Sequence, residues 1–301
     1  MATERVVILI VTYNAENWLP VCCPKAEELP EGWSVVVVDN ASSDGTLELL
    51  RHYPHVRLIA GDKNLGFGRA NNQGLRLALE DGADYVFLLN QDAEIPIDGI
   101  RTLIAAHKAH PEYLIISPMQ LNGPGTAFDS SFARLIRTEL GAEYREEDLA
   151  RAGETDLLPV RQGIAAAWLL PREALETVGG FSPVFYHYGE DEDYVNRVLF
   201  HGGKAGISPH AAARHHREQR PRKKSLDSRL IDRFIEMANP AGPAPGKARV
   251  LGVCLKPVLR QLVKGRTDMA AFILRSCREL LRGDAPGSVR DTARQKGRSF
   301  L

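Results

Sequence analysis

Carboxylates in three segments of the chain occur where a charged ligand could be bound. Asp39 ends one apolar run, Asp92 follows a second, and four consecutive acids extend from Glu190 to Asp193 at a predicted helix start. A carboxylate at the carboxyl end of a buried strand is positioned to bind a hard divalent cation that bridges a diphosphate. The three segments together predict one nucleotide-diphosphate site.

Asp92 is the predicted metal ligand, within the sequence Asn90-Gln91-Asp92, and Gln91 beside it is a predicted contact with the nucleotide-sugar donor. Mg²⁺ or Mn²⁺ held there would neutralise a departing diphosphate. The alternative is a solvated acidic turn without a metal. Three histidines follow a later strand-like run, and one of them is a candidate for contact with the metal or the diphosphate, against a structural role. They are His210, His215 and His216, and His215 is the one assigned to the metal together with Asp92.

The acidic run has more negative charge than a helix start needs. The helix dipole favours some acid there, but carboxylates this close raise one another's pKa. A raised pKa suits a general base that takes a proton from an acceptor hydroxyl. Two carboxylates, with Glu190 and Asp193 as candidates, can also hold the hydroxyls of an acceptor sugar.

Polar residues after the first two predicted strands are candidates for contact with the nucleotide. Thr12 and Asn14 follow the first strand, where the Asn14 amide could hold a base or ribose, although a simple turn explains them equally well. Asp39 can accept a hydrogen bond from N3–H of uracil or thymine, because a carboxylate only accepts. Helix capping explains the Ser43 and Asp44 that follow, but it does not explain Asp39.

The run from 40 to 46 adds hydrogen-bonding side chains, among them Asn40 and Ser42. A third loop contains Asn64, Gly66 and Arg69 and opens a helix. Its two glycines permit close backbone approach to a ligand, and Arg69 could reach a phosphate. A dinucleotide-binding dehydrogenase is disfavoured, because Asn71 replaces the third glycine and the loop follows the third strand.

Short aliphatic strands and amphipathic helices alternate over the first 120 residues. This alternation predicts a mostly parallel sheet with helices on both faces, which binds ligands at the carboxyl ends of its strands. Residues 121–160 have a weaker pattern and are interpreted as an insertion over the active face. The predicted strands are 6–11, 35–39, 56–60, 85–89 and 114–118, and the clearest predicted helices are 67–79, 100–109 and 191–200.

Composition indicates a globular protein, with 44% hydrophobic and 25% charged residues. No apolar run is long enough to span a membrane, and the N-terminal run is too short and β-branched for a signal peptide. The four cysteines form neither a disulfide framework nor a metal-ligand pattern. The expected location is the cytoplasm, including the inner face of the plasma membrane.

Charge is unevenly distributed although the net charge is zero. From Arg214 onward there are 21 lysines and arginines and 8 acids, so residues 1–213 carry the opposite balance. Basic amphipathic helices over 250–263 and 269–281 fit an anionic membrane surface. A helical cap packed on the main domain and a homodimer contact are the alternatives. Nucleic acid is excluded as a partner because the tail lacks interleaved aromatics, and the last ten residues are expected to be disordered.

Together these segments resemble the inverting family 2 glycosyltransferases, and most closely the bacterial rhamnosyltransferase-like branch. The matching segments occur in the family's order between residues 5 and 217. They are residues 11–14, 38–46, 64–68, 89–92, 179–181 and 190–193, together with His215.

The resemblance implies a GT-A fold, a nucleotide-sugar donor, a divalent metal and inversion at the anomeric carbon. It implies that Asp39 contacts the base, that Asp92 binds the metal and that Asp191 is the general base. Two positions depart from the family pattern. Asn90 stands where the metal motif usually has a carboxylate, and Glu192 adds charge beside Asp191, which leaves open which acid is the base.

We expect residues 1–216 to form the GT-A domain, 217–248 a basic linker and helix, and 249–301 a basic amphipathic helical tail. The expected activity moves L-rhamnose from dTDP-L-rhamnose to a hydroxyl of a glycan or lipid-linked acceptor, as in polysaccharide biosynthesis for the cell envelope. The alternatives are a UDP-hexose or UDP-N-acetylhexosamine donor, and an inactive module that only binds a nucleotide sugar.

Overall fold

The computed structural model describes residues 3–141, 156–216 and 227–301. Its first half is a parallel sheet of four strands in the order β3-β2-β1-β4. Thr12 pairs with Asp39 and Val11 with Asn90, so the carboxyl ends of these strands meet at one edge. The strands are β1 (Val6–Thr12), β2 (Trp33–Asp39), β3 (Val56–Ala60) and β4 (Tyr85–Asn90).

Aliphatic residues at consecutive positions form β1, β2 and β4 because both faces of the sheet are covered there, whereas the edge strand β3 is largely exposed. Val7 and Leu9 point into one hydrophobic core, while Val6, Ile8 and Ile10 point into another on the opposite face. Helices α3 and α4 confirm the predicted helices 67–79 and 100–109. The helices of this half are α1 (Leu19–Cys22), α2 (Thr46–Leu50), α3 (Phe67–Glu80) and α4 (Ile97–Ala109).

The second half of the sheet is mixed, which the strand pattern did not predict. Its strands are β5 (Ala93–Glu94), β6 (Tyr113–Asn122), β7 (Leu158–Val160), β8 (Ala167–Pro171) and β9 (Lys204–His215). Strand β8 lies antiparallel between β4 and β6, β9 runs parallel to β6, and β7 and β5 pair antiparallel with β9. The end of β9 therefore lies beside the turn that follows β4.

Three helices accompany the mixed half: α5 (Ser130–Glu139), α6 (Arg172–Thr177) and α7 (Glu190–Phe200). Helix α5 and strand β7 lie within the predicted insertion over residues 121–160. The acidic stretch predicted to be partly helical falls on 142–155, outside the described residues. Helix α7 carries the run of four acids in its first turn.

Four helices follow residue 227: α8 (Ser228–Ala238), α9 (Lys247–Val263), α10 (Thr267–Leu281) and α11 (Val289–Arg294). They bury a third hydrophobic cluster together with Val184 and Phe185, which is the arrangement that the helical-cap alternative describes. The predicted basic loop at 217–224 lies outside the described residues. Among the residues described, no helix has both the length and the apolar character to cross a bilayer.

The last residues pack against α3 and the loop around Gly180, so the prediction of disorder was wrong. The Gly180 N–H donates to the Ser299 carbonyl (2.7 Å), and the Asn72 side-chain amide donates to the Phe300 carbonyl (3.1 Å). Leu301 packs against the hydrophobic core that contains Val7 and Leu9. Hydrophobic contacts and backbone pairing fix this segment despite its polar composition.

Candidate functional site

Asp39 lies fully buried at the carboxyl end of β2. The hydroxyls of Thr12 (2.9 Å) and Ser42 (2.5 Å) donate to its Oδ1, and the Ser42 N–H donates to its Oδ2 (2.9 Å). These bonds fix the direction of the carboxylate at the strand edge. A carboxylate has about four acceptor positions, so Asp39 keeps acceptor capacity after these three bonds.

Asn14 joins the loops that follow β1 and β2. It adopts a left-handed conformation (φ 52°), its N–H donates to the Ser42 hydroxyl (2.8 Å), and its side-chain oxygen accepts from the Ser43 N–H (2.9 Å). The predicted contact of the Asn14 amide with a base or ribose stays a prediction, and the observed bonds give Asn14 a role in shaping the loop.

Asn40 and Asn64 build the loop that precedes α3. The Asn40 side chain accepts from the Leu65 N–H (2.7 Å) and donates to Asn64 Oδ1 (3.0 Å), which also accepts from the Gly66 N–H (2.9 Å). Gly66 has φ 84°, and a Cβ there would lie 2.1 Å from the Tyr186 carbonyl oxygen. Only glycine fits this close backbone approach.

Arg69 contacts the loop that precedes α7. Its guanidinium donates to the Pro183 carbonyl (3.3 Å), and burial, with Arg275 on α10 nearby, lowers its pKa. In this position Arg69 supports the segment that leads to α7. Its predicted contact with a phosphate stays a prediction.

Gln91 connects the end of β4 to the end of β1. Its side-chain oxygen accepts from the Tyr13 N–H (2.7 Å), and its side-chain nitrogen donates to the Tyr13 carbonyl (3.3 Å). These two hydrogen bonds hold the loop after β1 against the segment that carries Asp92. Gln91 thus positions the strand edge, and its predicted donor contact remains untested.

Asp92, His215 and Asp129 form a buried row of charged and polar groups. Strand β5 pairs with the end of β9, which places His215 Nε2 3.4 Å from Asp92 Oδ1 and His215 Nδ1 3.9 Å from Asp129 Oδ2. All three side chains are at most 1% exposed. The structure therefore brings together the two residues that the sequence assigned to the metal.

Asp129 was not among the predicted site residues. Its other carboxylate oxygen accepts from the Ser131 and Phe132 N–H groups and caps α5. The sequence signal that could have found it is an acid followed by serine at a helix start. Its nearness to His215 depends on the long pairing of β6 with β9, which residue types alone do not predict.

Asp92 and His215 fit a hard divalent cation such as Mn²⁺ or Mg²⁺. A carboxylate oxygen and an imidazole nitrogen are both acceptable donors, and such ions commonly take only one or two protein ligands beside phosphate and water. The described residues contain no group of three or more metal-ligating side chains. His216 contacts Glu94 instead (3.2 Å), and His210 is exposed.

Glu190 is buried at the start of α7, next to the partly exposed Asp191. Burial, together with the charge of Asp191, raises the pKa of Glu190 to about 8. No hydrogen-bond partner for Glu190 Oε2 is present among the described residues. A Cβ added to Gly68 would lie 3.7 Å from the Glu190 Cβ, so the acid pair adjoins the helix start that Asn40 ties to the strand edge.

Asp193 lies inside the domain. Its Oδ2 accepts from Arg197 Nε (2.9 Å), and Arg197 also donates to the carbonyls of Val178 and Gly180. Burial raises the pKa of Asp193, while Arg197 opposes the rise. Because both side chains are at most 2% exposed, we assign Asp193 a structural role in place of the predicted contact with an acceptor sugar.

Residues 7–178 match the family Glycosyl transferase family 2. The chain is 30% identical over 212 residues, 61% of its length and 66% of the relative's, to the N-acetylglucosaminyl-diphospho-decaprenol L-rhamnosyltransferase of Mycobacterium tuberculosis. It is 35% identical over 209 residues, 68% of its length and 67% of the relative's, to the dTDP-rhamnosyl transferase RfbF of Shigella flexneri. The chain spans only 60 to 67% of the length of these two relatives and of another curated relative, a hexosyltransferase of Haloferax volcanii.

The fold is similar to that of the mannosyltransferase PcManGT from Pyrobaculum calidifontis, whose structure was solved with GDP-Man and Mn²⁺. The TM-score is 0.51 at 20% identity, over 93% of this chain and 88% of that one. This likeness confirms the α/β GT-A fold that the sequence predicted, with a C-terminal group of helices added to it.

Proposed function

This chain belongs to glycosyl transferase family 2, and we propose that it transfers L-rhamnose from dTDP-L-rhamnose to a hydroxyl of a glycan or lipid-linked acceptor, with inversion. The observation that supports the proposal is that Asp39 and the Asp92–His215 pair follow neighbouring strands at the carboxyl edge of a GT-A sheet, while Glu190 lies beside the start of α3. The names of the rhamnosyl-transferring relatives support the choice of donor. The name of the mycobacterial relative, with its diphospho-decaprenol acceptor, supports the choice of a lipid-linked acceptor.

Asp39 is proposed to bind the base of the donor. Its carboxylate is held by Thr12 and Ser42 at the sheet edge, and N3–H of thymine or uracil is a donor that an acceptor-only group can bind. Both pyrimidines satisfy this requirement, and so does N1–H of guanine, so Asp39 alone does not choose among dTDP, UDP and GDP. The name of the Shigella relative is what favours dTDP.

Asp191 is proposed to be the general base. Glu190, with a pKa near 8, is protonated at neutral pH and lies beside the partly exposed Asp191, which an acceptor hydroxyl can reach. Asp191 takes the proton of the acceptor hydroxyl, and the oxygen attacks the anomeric carbon opposite the diphosphate. The bond from that carbon to the diphosphate oxygen breaks in the same step, so the configuration inverts.

Asp92 and His215 are proposed to hold a divalent cation, which when bound would neutralise the negative charge that develops on the departing diphosphate. The side chain of Asp129, 3.9 Å from the other ring nitrogen of His215, helps to orient the imidazole. All three groups are buried, so solvent screens the charge interactions among them only weakly.

Two other functions remain candidates. A UDP-hexose or UDP-N-acetylhexosamine donor would use the same groups with a different sugar pocket. An inactive module that only binds a nucleotide sugar is disfavoured by the raised pKa of Glu190 beside Asp191, because such a carboxyl is unfavourable to bury and serves no purpose in binding alone.

A thermal-shift screen of dTDP, UDP and GDP, each with and without Mn²⁺, tests base preference and metal need together. We expect stabilisation by dTDP or UDP that Mn²⁺ increases. The Asp39→Asn variant should lose the nucleotide effect, and Asp92→Asn should lose only the Mn²⁺ increment. Asp98→Asn, an exposed acid on α4, is the control. Stabilisation by GDP alone would contradict the proposed pyrimidine nucleotide donor.

A donor panel then tests the reaction. Release of dTDP from dTDP-L-rhamnose with transfer to a polyprenyl-diphosphate-linked sugar supports the first proposal, and release of UDP from a UDP-sugar supports the second. Nucleotide binding without turnover of any donor would leave only the inactive module.

A further inference from the structure

Helix α9 exposes a row of leucines on the surface of the C-terminal helices. Leu251, Leu255, Leu259 and Leu262 are 48–64% exposed, and their spacing of four, four and three residues places them on one side of the helix. The inward side carries Val250, Val253, Cys254 and Val258, which are buried in the third hydrophobic cluster. The leucine row is therefore a second apolar face that the packing of this helix does not use.

A basic groove of about 450 Å³ runs beside this leucine row, between α8 and α9. Six basic side chains line it: Arg229, Arg233, Lys256, Arg260, Lys264 and Arg266. The one carboxylate among the described residues that line it is Asp227, which caps α8 and lies 3.8 Å from Arg260. Positive charge thus exceeds negative charge strongly on one side of the exposed leucines.

We propose that α9 and this groove form a surface that docks on an anionic lipid bilayer, with the leucines in the acyl boundary and the basic side chains at the lipid phosphates. Exposed leucines flanked by lysine and arginine are the pattern of a helix that lies in the membrane interface. The charge of the groove disfavours a symmetric homodimer, since a second copy docked through the same face would bring the same positive charge to the contact. Docking does not depend on the identity of the sugar donor, so its failure leaves the proposed reaction unaffected.

Flotation of the full chain with vesicles tests the proposal, without nucleotide or acceptor present. We expect binding to phosphatidylcholine vesicles that contain about one third phosphatidylglycerol, little binding to phosphatidylcholine alone, and weaker binding as salt screens the charges. Equal binding to both vesicle types, or binding to neither, would overturn the proposal.

Two double variants separate the contributions of charge and apolar surface. Lys256→Glu with Lys264→Glu should lower the vesicle partition coefficient at least roughly 25-fold, because each basic residue near an anionic surface is worth roughly fivefold. The control is Arg76→Glu with Arg134→Glu, which makes the same charge change at exposed sites on α3 and α5 and should leave the partition coefficient unchanged. An equal loss in the control would show that net charge alone is responsible.

Leu255→Gln with Leu259→Gln should also release the protein from vesicles, while Leu58→Gln, an exposed leucine on β3, should not. Because all three leucines are exposed, each variant should fold, which its melting temperature verifies. Light scattering reports the mass in parallel. If the leucine variant converts a dimer into a monomer and vesicle binding is absent, the face is a homodimer contact and the proposal is wrong.

Discussion

Glu190 makes the folded protein sensitive to pH in a direction that can be measured. Its pKa rises from 4.5 to about 8 because the side chain is buried and lies beside Asp191. The folded state therefore keeps a proton that the unfolded state has already lost. Stability contributed by this proton is complete below pH 4.5 and is lost as pH rises toward 8.

The size of the effect follows from the two pKa values. Each pH unit between 4.5 and 8 lowers the free energy of unfolding by about 1.4 kcal/mol, which gives at most about 5 kcal/mol over the window. Glu190→Gln replaces the protonated acid with a group of the same shape that does not ionise. We expect the variant to match the wild type near pH 4.5 and to exceed it by about 2 to 5 kcal/mol at pH 8.

Urea unfolding at several pH values between 4.5 and 8.5 measures this difference directly. Glu80→Gln removes one exposed acid from α3 and serves as the control for a change of net charge. A difference between Glu190→Gln and the wild type that stays constant across the range would refute the reasoning, because it would mean that Glu190 ionises in the folded state as it does in the unfolded state.

Two further substitutions test the framework of the site. Gly66→Ala should destabilise the fold by about 3 kcal/mol in urea unfolding, since its Cβ would meet the Tyr186 carbonyl at 2.1 Å. The control Gly252→Ala, with open space around it on α9, should stabilise the fold slightly. Equal effects of the two substitutions would contradict the close approach. Asp193→Asn should lower the free energy of unfolding by about 3 kcal/mol or more, because it leaves the buried Arg197 without its ion-pair partner. An unchanged melting temperature would contradict the structural role and favour the predicted contact with the acceptor sugar.

The parallel half of the fold and its strand ends were predictable because their signals are local. Short β-branched apolar runs such as residues 6–11 favour buried strands, and a polar residue directly after such a run is then placed at the sheet edge. Asp39 and Asp92 were identified on this basis. The family resemblance then connected them with Asp191, which no single run of residues could do.

Contacts between distant segments were not predictable. Asn40, Asn64 and Gln91 were assigned to the donor, yet their side chains hold neighbouring loops together. Asp129 was missed because its place depends on strand pairing far along the chain. Asp193 was assigned to the acceptor because the four consecutive acids were treated as one group. A helix turns successive side chains to different sides, so Asp193 lies inside the domain while Asp191 is partly exposed.

The central claim is that Asp191 activates the acceptor hydroxyl, while other residues of the site bind the nucleotide diphosphate. The most direct test compares Asp191→Asn with Glu192→Gln in single-turnover transfer, using the donor and acceptor that the panel identifies, with dTDP binding measured by calorimetry. We predict a loss of at least about 100-fold in the transfer rate of Asp191→Asn, with unchanged dTDP affinity and a much smaller effect for Glu192→Gln. Near-normal transfer by Asp191→Asn would contradict the account.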